Sequence, residues 1–130
     1  MSDLKSDAEA LLTEAMALFN RQAFFECHEV LEELWRPLPS GPEKTCLQGL
    51  LQVGVGFYHW QRGNAVGARN KLQSGLEKLD AVARQFEYSP PFSLEQVIIG
   101  SRLLLNRLLE HRDAGERLPP YPQSEIPKLD

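Results

Sequence analysis

The chain has 130 residues, of which 42% are hydrophobic and 25% charged, and this composition predicts one globular domain rather than a disordered chain. Its 14 basic and 18 acidic residues give a formal charge of −4, which argues against binding to nucleic acid or to an anionic membrane. The longest apolar stretch, residues 50–60, is too short to span a bilayer. The polar N-terminus does not resemble a signal peptide, and Cys27 and Cys46 lack metal-binding spacing, so we expect a cytoplasmic protein.

The pattern of apolar residues is helical along the chain, because they recur three and four positions apart. Ser6 and Ser93 each begin a capping box, and Asn64 after Gly63 is typical of another helix start. Proline-rich segments mark the ends of the second and fourth helices. In chain order, the five predicted helices cover a segment from Ser6 to Phe19, about residues 23–36, about residues 43–62, a segment from Asn64 to Phe86, and a segment beginning after Ser93.

We therefore predict an all-α fold, a compact bundle of about five helices. The third helix is apolar nearly all round and should be central, and it should form an αα-hairpin with the fourth. After Gly115 the chain becomes rich in proline, which predicts an extended C-terminal tail that lies on the helices. The predicted organisation is thus a helical domain over residues 1–115 and a Pro-rich tail over residues 116–130.

Two predicted helices each carry polar residues within an apolar surface. On the second helix, His28 and Glu32 lie one turn apart at the edge of the core-facing stripe, where a carboxylate needs a partner. On the third helix, the polar residues form a line along an otherwise buried surface. If these strips face each other, they form one cluster containing His28, Glu32, Gln48, Gln52 and His59, with Trp35 packed as its wall.

This cluster has two interpretations, and the sequence leaves open whether the protein is an enzyme. In the first, it is a pocket for a small ligand with hydrolase-like chemistry. His28, Glu32 and His59 are then the catalytic candidates, and Trp35, Gln48 and Gln52 the pocket residues. Residues 28–32 resemble a broken HExxH motif in which Glu32 stands in place of the second histidine. Together with His59 they supply two imidazoles and a carboxylate, ligands suited to a divalent metal such as zinc. In the second, the cluster is a structural hydrogen-bond network in a non-enzymatic interaction module.

The fourth and fifth helices carry more apolar residues than one buried stripe requires. Such a surplus indicates a surface that binds a second copy of the chain or another protein. We therefore expect a homodimer, with contacts among Val66, Val82, Ile99, Leu103 and Leu109.

The segment FNRQAFFECHEVLEELW, residues 19–35, resembles the family known as domain of unknown function 309. Its hallmark is a histidine, a glutamate four residues later and a tryptophan three residues after that, and His28, Glu32 and Trp35 match it. The stretch LQGLLQVGVGFYHWQRGNAVGA, residues 47–68, is also similar to that family. Over about residues 6–115, the resemblance implies an all-helical bacterial or archaeal protein. It implies no established activity, ligand or substrate.

Overall fold

The computed structural model describes residues 3–130, with side chains from residue 7 onward. Its five helices are α1 (Asp3–Asn20), α2 (Phe24–Trp35), α3 (Pro42–Gln61), α4 (Ala65–Gln85) and α5 (Leu94–Asp113), followed by a short 3₁₀ turn at Gln123–Glu125. No β-strand occurs among the described residues, which confirms the predicted all-α fold. Within the same residues, no helix is both long and apolar enough to cross a membrane.

Local capping explains two of the helix starts. The Asn64 side chain accepts a hydrogen bond from the backbone N–H of Gly67 at 2.9 Å, and Ser93 accepts one from that of Gln96 at 3.2 Å. Both predicted N-caps are therefore confirmed. The predicted start at Ser6 is wrong, because α1 already begins at Asp3 and residues 3–5 contain no glycine or proline that would prevent the helix from extending.

The α3 helix lies at the centre of the bundle, as predicted, and packs against α2 on one side and α4 on the other. Glycines allow α3 and α4 to approach closely. A Cβ atom at Gly75 would lie 2.7 Å from the carbonyl oxygen of Gly49 and from the backbone nitrogen of Val53, so a larger residue does not fit there. Joined through Gly63-Asn64, α3 and α4 form the expected αα-hairpin.

The C-terminal tail packs on the helices instead of extending into solvent. Ile126 and Leu129 are only 5% and 2% exposed and belong to the same hydrophobic core as the helices. The indole nitrogen of Trp60 donates to the carbonyl of Pro119 at 2.9 Å. The Asn20 side chain accepts from the backbone N–H of Leu129 at 2.7 Å and donates to its carbonyl at 3.1 Å. The expectation that the tail lies on the bundle is thus confirmed.

Candidate functional site

The first part of the site lies on α2. The Nε2 atom of His28 is 3.2 Å from Oε1 of Glu32, and Oε2 of the same carboxylate is 3.2 Å from the guanidinium of Arg36. These three residues follow one another at one-turn intervals, so the helix itself aligns them. The side chains of His28 and Glu32 remain 31% and 33% exposed. The carboxylate thus has partners on its own helix, while His28 stays within reach of solvent.

The second part of the site is His59, in the last turn of α3. The side-chain amide of Asn64 lies 3.3 Å from Nδ1 of the imidazole, and its oxygen caps α4 by accepting from Gly67. An amide N–H that donates to Nδ1 requires a lone pair there, so the proton of the neutral ring is on Nε2. Asn64 therefore caps a helix and orients a histidine at the same time.

The absence of a side chain at Gly67 leaves the space that the His59 ring occupies. A Cβ atom on this glycine would lie 2.7 Å from Cγ of His59 and 2.8 Å from Nδ2 of Asn64. Carbon atoms at ordinary van der Waals contact are about 3.5–4.0 Å apart, so no side chain fits between the imidazole and the first turn of α4. The imidazole consequently packs directly against the α4 backbone.

The two histidines meet at one pocket between α2 and α3. This imidazole pocket has a volume of about 160 Å³ and is lined by Phe24, Phe25, His28, Val55, Tyr58 and His59. Four of its rings follow one another as an arc, with centroids 6.2 Å apart from His28 to Phe25, 5.8 Å from Phe25 to Tyr58, and 6.3 Å from Tyr58 to His59. The histidines thus form the two ends of an aromatic wall.

The other predicted site residues do not reach this pocket. Gln52 accepts a hydrogen bond from Lys78 of α4 at 3.0 Å, and Gln48 is half-buried on α3 outside the pocket lining. Trp35 lies at the opposite end of α2, where Lys44, near the start of α3, stacks over its ring at 5.4 Å. Because α2 and α3 run antiparallel, the end of α2 faces the start of α3, far from His59. The six residues therefore do not form one site.

Three aromatic residues of the pocket, Phe24, Phe25 and Tyr58, were not predicted as part of the site. Phe25 is 50% exposed although it is large and apolar, and its ring contacts that of Tyr58 on α3. Phe25 lies off the core-facing stripe of α2, and this unusual position was a signal available in the sequence. Asn64, five residues after His59, was predicted only as a helix cap following the turn at Gly63, and Gly67, eight residues after His59, was not singled out.

The residues present do not fit the zinc site considered from the sequence. Among the described residues, no group of three or more His, Cys, Asp and Glu side chains is placed to hold a metal ion. The two cysteines are buried, and burial raises the pKa of Cys27 and of Cys46 to about 12, so both thiols are protonated at neutral pH. The surface of the pocket itself is almost entirely apolar, formed by the carbon atoms of its rings and of Val55, and Glu32 lies beside it rather than in its lining.

Residues 12–70 match a family model described as Domain of unknown function (DUF309). This segment, 59 of the 130 residues, is thus similar to the DUF309 family. It extends from α1 into α4 and contains His28, Glu32 and His59, whereas residues 71–115, expected to share the resemblance, lie outside the match. The predicted family is therefore confirmed over a shorter segment.

Two curated relatives are similar to part of the chain. The uncharacterized protein YpuF of Bacillus subtilis (strain 168) is 38% identical over 64 residues, which are 49% of this chain and 37% of the relative. An uncharacterized protein of Aquifex aeolicus (strain VF5) is 30% identical over 66 residues, 51% of this chain and 20% of the relative. The chain thus spans less than half the length of each relative. No solved structure matches it significantly.

Proposed function

We propose that the chain binds a small organic molecule in the imidazole pocket, in contact with His28 and His59. The observation that carries this proposal is the convergence of two imidazoles from different helices on one opening to solvent. A purely structural polar network would be closed, with its members bonded to one another. Here the histidines have separate partners, Glu32 and Asn64, and both still line the cavity.

The same geometry suggests which groups would act if the pocket also performs a hydrolase-like reaction. His28 would be the general base, since Glu32 favours a proton on Nε2 and leaves Nδ1 as the basic nitrogen. His59 would donate a proton from Nε2. The six lining residues include no Ser, Thr or Cys, so the attacking group would be a water molecule.

Filling the pocket tests the binding function. The Val55→Phe variant places a ring in the cavity, while Val66→Phe makes the same change at a 58% exposed position outside the lining. In a fragment screen followed by NMR, we expect molecules that shift the His28 and His59 resonances to bind Val55→Phe at least about tenfold more weakly, a difference of about 1.4 kcal/mol. Val66→Phe should bind them normally, and circular dichroism checks that both variants fold. Unchanged binding to Val55→Phe would contradict the proposal.

A second candidate function, self-association, is favoured by an exposed apolar pair on α5. Ile99 and Leu103 lie one turn apart and are 48% and 65% exposed. Of the other residues expected at a dimer contact, Val66 is exposed, whereas Val82 is buried and Leu109 packs against the core. We propose that α5 binds a second copy of the chain, and light scattering tests this. We expect the protein to be a dimer and the Leu103→Glu variant to be a monomer. A protein that is monomeric at high concentration would contradict this proposal.

A further inference from the structure

The volume of the imidazole pocket limits what can enter it. The cavity measures about 160 Å³. An apolar protein cavity of roughly 150 Å³ binds benzene, so one six-membered ring fits here and a fused ring system does not fit entirely.

The surface inside the pocket is almost entirely apolar, because carbon atoms of aromatic and imidazole rings and of Val55 form it. The polar partners of the two histidines, Glu32 and Asn64, bond to them from outside the lining. A hydroxyl, amine or carbonyl group that entered the pocket would exchange its hydrogen bonds with water for contacts with carbon. That exchange is unfavourable, so the part of a ligand inside the pocket should carry no polar group.

The charges beside the pocket favour an uncharged ligand. Aromatic walls can hold a quaternary ammonium ion through the negative faces of their rings. Here the guanidinium of Arg62 already lies over the Tyr58 ring, 5.9 Å from its centroid, and would repel a second cation. The neighbouring carboxylate of Glu32 is shared between His28 and Arg36, which lowers its attraction for a further cation. An anion would meet the same negative ring faces without a counter-ion.

Phe25 gives an apolar ligand a reason to bind. Its side chain is 50% exposed, and its ring lies 5.8 Å from that of Tyr58, inclined by 47°. A hydrocarbon ring in the pocket would cover part of this exposed surface and remove it from water. The hydrophobic effect thus favours occupation of the pocket by an apolar group.

We propose that the imidazole pocket binds the apolar end of a small molecule, a single uncharged hydrocarbon ring whose polar groups, where it has any, stay outside in water. This inference rests on the proposed binding function and adds the chemical class of the ligand to it. Phe25, Tyr58 and Val55 contact the ring, together with carbon atoms of His28 and His59.

A titration with three small probes tests this class. With ¹³C-histidine labelling, p-xylene should shift the carbon-bound ring protons of His28 and His59 and leave those of His111, which lies on α5 outside the pocket lining, unchanged. Hydroquinone has a similar shape, but its two hydroxyl groups point in opposite directions, so at least one must turn toward the pocket. It should bind at least about tenfold more weakly than p-xylene. Tetramethylammonium tests the cationic alternative and should also bind at least about tenfold more weakly.

A variant pair locates the effect in the lining. Val55→Thr adds one hydroxyl group to the pocket surface at nearly unchanged size. It should weaken p-xylene binding about two- to tenfold without weakening hydroquinone binding. Val66→Thr makes the same change at a 58% exposed position outside the lining and should leave the binding of both probes unchanged. Circular dichroism checks that both variants fold.

Each contrary result has a distinct meaning. Hydroquinone or tetramethylammonium binding as tightly as p-xylene would overturn the uncharged apolar class while the pocket remained a binding site. Unchanged p-xylene binding to Val55→Thr would overturn it by placing the ring elsewhere. If p-xylene shifts neither His28 nor His59, the ligand class is overturned, and the Val55→Phe comparison with the fragment screen separately decides whether the pocket binds other molecules.

Discussion

Replacing Gly67 with alanine should displace His59 and destabilise the protein. The new Cβ would lie 2.7 Å from Cγ and 2.8 Å from Cδ2 of His59, and 2.8 Å from Nδ2 of Asn64. Such overpacking costs about 1–3 kcal/mol, and loss of the Asn64 cap adds about 1 kcal/mol. Alanine recovers about 1 kcal/mol through its higher helix propensity. We therefore expect the free energy of unfolding to fall by about 1–3 kcal/mol.

Gly54 on α3 provides the matched control. A Cβ there would lie 3.6 Å from Cδ1 of Phe24, an ordinary contact, so Gly54→Ala should be neutral or stabilise the protein by up to about 1 kcal/mol. Urea denaturation measures both free energies, and the ¹⁵N shifts of His59 report whether its ring has moved. The reasoning is refuted if Gly67→Ala is as stable as Gly54→Ala and the His59 resonances stay in place.

Two further predictions concern the protons of the site and of the core. Asn64→Asp keeps the oxygen that caps α4 but removes the amide that donates to His59. The free energy of unfolding should therefore change little, while ¹⁵N NMR should detect a shift of the imidazole proton of His59 toward Nδ1. An unchanged tautomer would contradict the assigned hydrogen bond. Burial raises the pKa of Cys27 and of Cys46 from 9.0 to about 12, so the folded state retains these protons more strongly than the unfolded state. The stabilisation that these two protonated thiols give the folded state is complete below pH 9. Between pH 9 and pH 12 the free energy of unfolding falls by about 1.4 kcal/mol per pH unit for each thiol. Urea unfolding at about pH 8 and about pH 10 measures this loss, and equal free energies would contradict it.

Most of the fold could be predicted because local sequence determines several helix ends. The caps at Asn64 and Ser93 satisfy backbone donors within the first turn, and they act regardless of what packs nearby. At Ser6 the same reasoning failed because a cap is a preference of only about 1 kcal/mol. The residues before Ser6 favour helix, and α1 therefore starts at Asp3.

Less of the site could be predicted. The periodicity of apolar residues shows which residues share one face of a helix, but it does not show which residues of the neighbouring helix lie beside each of them. His28 and Trp35 lie near the same face of α2, yet seven residues separate them by about 10 Å along the axis. In the antiparallel pair, that distance places one beside Tyr58 and the other beside Lys44. The contact between Phe25 and Tyr58 joins two helices and has no signature within either of them.

The pocket also depends on residues that are distant from it in the sequence. Gln22, just before α2, has a φ of 62°, an unfavourable conformation for a residue with a side chain. Its side chain accepts from the hydroxyl of Tyr121 at 2.6 Å and donates to the carbonyl of Gln123 at 2.8 Å. Gln61, two residues after His59, donates to the carbonyl of Gln22 at 3.1 Å. The tail thus joins the start of α2 to the end of α3, the two segments that line the pocket. The boundary predicted at residue 115 therefore separates two segments that belong to one hydrophobic core. The DUF309 match over residues 12–70 includes the residues that line the pocket, but it does not include the tail that packs behind them.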